Sequence, residues 1–154
     1  DAPIAYVTQT TLSVDDTQEI IDTLRARFPQ VAAPKKEDIC YATTNRQASM
    51  RAVAKDADAV IVIGAPNSSN SRRLVEVASA AGAEKATLLQ KAADLDWDFL
   101  DDVRTLGISA GASAPEILVT DLLDKLRERY EVEAEEITLT EENVIFKLPK
   151  IVTA

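Results

Sequence analysis

Histidine is absent from all 154 residues. That removes the commonest general base and metal ligand, so a Ser-His-Asp triad and ordinary zinc chemistry within this chain alone are excluded. Cysteine occurs once, as Cys40, which rules out an internal disulfide and fits a reducing, cytoplasmic setting. No long apolar run exists either: Ala57 to Ala65 contains Asp58 and is far too short to cross a bilayer. No charged segment followed by an apolar one opens the sequence, so no signal peptide is expected. The first residue is Asp1 and not Met, which points to a fragment or a processed product. Basic side chains are outnumbered 17 to 26, for a net charge of -9. Neither a nucleic acid nor an anionic membrane is the partner such a surface calls for. Any anion must then be held by neutral donors.

Those donors are present in four places. Tyr6-Val-Thr-Gln-Thr10-Thr-Leu-Ser13, Ile39-Cys40-Tyr-Ala-Thr43-Thr-Asn-Arg-Gln47, Val62-Ile-Gly64-Ala-Pro-Asn67-Ser-Ser-Asn-Ser71 and Gly107-Ile-Ser109-Ala-Gly-Ala-Ser113-Ala-Pro115-Glu116 share one plan. Each runs from apolar residues into Ser, Thr or Asn and then into an amphipathic helical pattern. In α/β domains such turns sit at the carboxyl ends of strands, where unpaired helix N–H groups collect anions. Helix capping alone accounts for a single serine, such as Ser13 with Asp16 or Ser113 with Glu116. Five consecutive polar residues from Asn67 to Ser71 exceed what one cap needs.

Periodicity predicts a strand at Ile4 to Val7 and a helix from Ser13 with Ile20, Ile21, Leu24 and Phe28 on one face. A helix from Thr43 to Lys55, a strand at Ala59 to Ile63 and a helix from about Ser69 to Ala81, stopped by Gly82, follow. Further along, strands are expected at Ala86 to Leu89 and Leu106 to Ser109, with helices over Asp94 to Val103 and Pro115 to Tyr130. Ala134 to Leu139 and Val144 to Leu148 read as an antiparallel hairpin. With 46% hydrophobic residues, this alternation implies an α/β fold with a parallel sheet covered on both faces, and a C-terminal tail.

Taken together, Thr8-Gln-Thr-Thr-Leu-Ser-Val-Asp-Asp-Thr17, Asp38-Ile-Cys-Tyr-Ala-Thr-Thr-Asn-Arg-Gln47, Asn67-Ser-Ser-Asn-Ser-Arg72 and Ala110-Gly-Ala-Ser-Ala-Pro-Glu116 resemble the IspH (LytB) family of hydroxymethylbutenyl diphosphate reductases. Order and spacing agree over nearly the whole chain. The resemblance implies three pseudo-symmetric α/β domains around a [4Fe-4S] cluster held by three cysteines, one per domain, in an enzyme of the non-mevalonate isoprenoid pathway. The reaction it implies removes the allylic hydroxyl of (E)-4-hydroxy-3-methylbut-2-enyl diphosphate, with electrons from ferredoxin or flavodoxin, to give isopentenyl and dimethylallyl diphosphate. By position Cys40 is the third cluster ligand. Ser68, Asn70 and Ser113 match residues that grip the diphosphate, with Thr43 and Ser69 close by, and Thr10 matches a threonine that helps deliver a proton.

The family's other two cysteines, its histidines and its acidic proton donor have no counterpart here. One thiolate cannot retain a four-iron cluster. The expectation is therefore a carboxyl-terminal half. Residues 1–34 would end the second domain, 35–135 form the third, and 136–154 the tail, the piece being inactive without the amino-terminal half. A free-standing α/β module that binds diphosphate without redox chemistry is the alternative.

Overall fold

The computed structural model describes residues 3–34 and 38–139. Helix α1 spans Val14–Arg27, α2 Tyr41–Lys55, β1 Ala59–Ile63, α3 Ser69–Ala80, β2 Lys85–Leu89, β3 Leu106–Ala110 and α4 Ile117–Arg127. The strands form one parallel sheet in the order β2-β1-β3, with Ile63 opposite both Leu89 and Ala110. As expected for a central strand of a doubly covered sheet, the Ala-Val-Ile-Val-Ile run of β1 is buried at every position.

Strand alternation divides the core in two. Val60 and Val62 point to one face and pack with Met50 and Ala54 of α2 and with Leu74, Val77 and Ala78 of α3. Ile61 and Ile63 pack on the other with Leu89, Leu95, Leu100 and, from α4, Leu122 and Leu126. The amino-terminal edge of the sheet is tied by Asp58, whose carboxylate accepts from the backbone N–H groups of Thr105 (2.8 Å) and Arg104 (2.9 Å). The Thr105 N–H, then the Arg104 N–H, hold this exposed carboxyl below its ordinary value of 3.8. A depressed carboxyl stabilises the fold above its unfolded pKa, and the contribution disappears as pH falls through the lower folded value. Asp58→Asn is accordingly expected to flatten the acid limb of a melting-temperature profile below about pH 4 and to leave the neutral region nearly parallel. An unchanged acid limb would show that this carboxylate does not support the sheet edge.

Four expectations from the sequence are corrected. Ile4 to Val7 is not a strand of the sheet; it makes a single parallel bridge, Ala5 to Ala32, through Tyr6 N–H to Ala32 O (3.2 Å) and Ala32 N–H to Ile4 O (2.9 Å). A ladder needs a full-length neighbour, and only Val31–Ala32 reaches it. The Asp94–Val103 helix is two 3-10 turns, Ala92–Asp94 and Trp97–Leu100, because Asp96 caps its own turn by accepting from Asp98 N–H, and Asp102 takes a φ of 64°. Helix α4 begins at Ile117, no side chain caps it, and it stops at Arg127. Residues 134–139 are irregular and exposed or half-buried, without a strand; the expected second strand, 144–148, lies outside the described residues.

The apolar face expected on α1 exists but finds little cover. Ile20 is 60% exposed and Phe28 37%, and Val7 nearby is 84% exposed. Thr17 is the one buried residue of that helix.

Candidate functional site at the carboxyl edge of the sheet

From β1 the chain passes through Gly64 to α3; from β3 it passes through Gly111 to α4. Helix α3 packs on one face of the sheet and α4 on the other. The two loops thus diverge from adjacent strands at the carboxyl edge, and in open α/β sheets that divergence marks the crevice where ligands usually sit. Gly111 N–H donates to Ile63 O at 2.8 Å, fixing the start of one loop against the end of the neighbouring strand. Ser68, Ser69 and Asn70 come from the first loop and the start of α3, Ser113 from the second. The sequence-expected diphosphate residues therefore converge on one edge.

Ser68 is the N-cap of α3, and its Oγ accepts from Ser71 N–H at 3.3 Å and from Ser71 Oγ–H at 3.0 Å. Ser69 and Ser113 are exposed. Ser113 caps nothing at α4, so the capping role expected for it is absent and its hydroxyl is left to the solvent side of the crevice. Asn70 is 9% exposed, and neither Nδ2 nor Oδ1 has a partner. Among the described residues, Arg46 is the one other side chain with a buried unpartnered polar atom, its Nε; its Nη1 donates to Ala110 O at 3.0 Å. A buried carboxamide without partners costs about 1–3 kcal/mol, so both atoms keep their capacity for a group from outside the chain.

The Thr10 loop is held next to this edge. Cys40 N–H donates to Thr10 O at 3.2 Å. Gln47, fully buried on α2, accepts from Val14 N–H (3.0 Å) and donates to Leu12 O (2.8 Å). Thr8 N–H reaches Asp38 Oδ2 at 2.8 Å. Cys40 itself is the exposed N-cap of α2, makes no side-chain cap bond, and so keeps its sulfur free at the positive end of that helix. Thr43, one turn on, is buried. Among the described residues no group of three or more His, Cys, Asp or Glu side chains is placed to hold a metal.

With this geometry in place, the comparisons with known proteins decide the family. The model of the LytB protein family matches residues 1–127. The chain belongs to the LytB family. It is 57% identical over 150 residues to the 4-hydroxy-3-methylbut-2-enyl diphosphate reductase of Ruegeria pomeroyi, covering 97% of this chain and 48% of that protein. It is 58% identical over 146 residues to the reductase of the same name from Gluconobacter oxydans, covering 95% and 44%. Among solved structures, the E-1-hydroxy-2-methyl-but-2-enyl-4-diphosphate reductase of Plasmodium falciparum superposes with a TM-score of 0.88 at 33% identity, over 99% of this chain and 48% of that one. The LytB chain thus spans about half the length of the relatives it matches. No helix among its described residues is long and apolar enough to cross a membrane.

Sequence reasoning missed Ser71, Gln47 and Arg46 as parts of the site. The run Asn67 to Ser71 did signal Ser71, though as one of five polar residues with nothing to single it out. Gln47 closes the second polar cluster with nothing to single it out, because a polar residue facing inward on a helix is indistinguishable from one facing water until its partners are known. Concavity points elsewhere: a hollow of about 310 Å³ lined by Tyr6, Thr17, Ile21, Arg25 and Ile39 lies on the α1 side, and none of Ser68, Ser69, Asn70 or Ser113 lines it.

Proposed function

We propose that this chain is the carboxyl-terminal half of a 4-hydroxy-3-methylbut-2-enyl diphosphate reductase, an iron–sulfur oxidoreductase, and supplies its diphosphate-binding wall and one cluster ligand. The observation that carries the reading is Asn70: a nine-tenths buried carboxamide with both polar atoms unpartnered, in the first turn of α3 beside Ser68. An anion at a helix N-terminus meets unpaired N–H groups, and the Asn70 amide adds two donors. Ser68, Ser69 and Ser113 would contribute hydroxyls, with Thr43, buried one turn after Cys40, as a further candidate. In a chain of charge -9, neutral donors suit a substrate and a product that carry the same diphosphate, since release meets no cationic trap.

Cys40 would give its free sulfur to a [4Fe-4S] cluster completed by two cysteines of the amino-terminal half. When bound, that cluster would pass on two electrons from the external donor, one at a time, and offer a Lewis-acidic iron toward the substrate hydroxyl. Thr10, whose backbone is pinned to Cys40, would stand beside that hydroxyl and relay a proton to it as it leaves. Ferredoxin or flavodoxin would deliver the electrons. The uncovered apolar residues Ile20 and Phe28 of α1 support a second unit packed there. Residues 1–34 would then end the second α/β domain and 35–135 form the third.

The test is anaerobic reconstitution with iron and sulfide. Residues 1–154 alone are expected to stay colourless and to bind the diphosphate substrate poorly in calorimetry. Co-expressed with an amino-terminal half bearing the other two cysteines, they should give a brown, active reductase. A stable brown protein from residues 1–154 alone, or an inactive pair, would overturn the proposal; tight substrate binding by the isolated chain would favour the free-standing binding module.

A further inference from the structure

We propose that Ser71 is a positioning residue for diphosphate binding, acting through the Ser68 hydroxyl; the inference rests on the reading of Ser68 given above. Ser71 is 1% exposed, the most deeply buried serine of the five-residue polar run. It occupies the gap between the two loops that leave β1 and β3. A methyl group added at Gly64 would collide with Ser71 Oγ and lie 2.6 Å from its Cβ, and one added at Gly111 would collide with the same Oγ. Both strand-end glycines are thus the two walls of one slot, and Ser71 fills it. Gly111 is far from Gly64 and Ser71 in sequence, yet a single hydroxyl reaches both loops that carry the proposed diphosphate ligands.

The hydrogen bonds give that slot a function. Ser68 Oγ accepts twice from Ser71, from its backbone N–H (3.3 Å) and from its hydroxyl (3.0 Å). A serine hydroxyl has two lone pairs and one proton. With both lone pairs engaged inside the protein, the one remaining valence of Ser68 is its O–H, available as a donor outward to an anion. Ser71 therefore sets Ser68 in the donor state that phosphate oxygens require. Capping α3 needs only the backbone N–H of Ser71; the second bond, from the buried hydroxyl, is surplus to capping. The unpartnered Asn70 amide, between Ser68 and Ser71 in the same turn, is the independent sign that this turn faces a ligand.

The experiment is a double-mutant cycle in the complete reductase that carries this segment, with substrate kinetics and competitive inhibition by inorganic diphosphate as readouts. Ser68→Ala is expected to raise KM and the inhibition constant about 10- to 100-fold, the scale of a hydrogen bond to a charged group. Ser71→Ala should raise both about 3- to 10-fold, the scale of one neutral hydrogen bond, and hold kcat within about twofold. In the Ser68→Ala background, adding Ser71→Ala should change KM less than about twofold, because its effect passes through the group already removed. A residue that merely packs the slot would give additive effects. Packing is separated by a second pair: Gly111→Ala should lower the melting temperature, and Ser71→Ala combined with Gly111→Ala should recover it while KM stays raised.

An unchanged KM in Ser71→Ala, or additivity in the cycle, overturns the inference and leaves Ser68 as a diphosphate ligand. An unchanged KM and inhibition constant in Ser68→Ala overturns that reading of the site, and this inference falls with it.

Discussion

Replacing Asn70 by leucine is expected to move stability and activity in opposite directions. The carboxamide is nine-tenths buried and bonds to nothing within the chain. Leucine keeps the same branched skeleton with no polar atoms, so Asn70→Leu removes a desolvation penalty of about 1–3 kcal/mol and, net of the cost of fitting its larger methyl groups, should stabilise the ligand-free protein. The same change deletes two N–H donors from the proposed diphosphate site. In the complete reductase kcat/KM should fall about 100-fold, since each hydrogen bond to an anion contributes about 1.5–3 kcal/mol. Melting curves with and without inorganic diphosphate, together with steady-state kinetics, measure both signs. A destabilised variant with unaltered kinetics would mean that Asn70 serves the fold and not the ligand.

Cys40→Ser carries the other large effect. Because Cys40 is exposed and its side chain caps nothing, the substitution should leave the melting temperature of the isolated chain almost unchanged. In the complete reductase it should remove the visible absorbance of the cluster and lower turnover by about three orders of magnitude or more, as expected when several kcal/mol of Lewis-acid stabilisation are lost. Oxygen is a hard ligand in place of a soft one, so serine does not substitute for the thiolate. Normal colour and turnover in Cys40→Ser would exclude this sulfur as a ligand.

Much of the fold was legible in the residues. The β-branched run Ala59 to Ile63 and the 3.6-residue spacing of Leu74, Val77 and Ala78 encode strand and helix directly, because burial selects side chains at those periods. The edges were harder. Ile4 to Val7 has a strand's composition without the neighbour that would make it one, and Asp94 to Val103 has a helix's spacing interrupted by Asp96, which accepts from the Asp98 backbone N–H. Local pattern records preference, and pairing is decided elsewhere.

The candidate site divides along the same line. Its ligand types, neutral hydroxyls and an amide with one lone sulfur, were readable in the four polar clusters, since the chemistry of a side chain travels with its identity. The sequence by itself therefore determined an α/β chain of the LytB type, with polar turns suited to an anion and a single thiol. Tertiary structure alone decided which of those groups act together. It left α4 without a cap from Ser113, isolated Asn70 from any partner, clamped the Thr10 loop through Gln47, and placed Ser71 between Gly64 and Gly111. The physical reason is that hydrogen-bond satisfaction and close packing are properties of pairs of atoms far apart along the chain, and no single position encodes them.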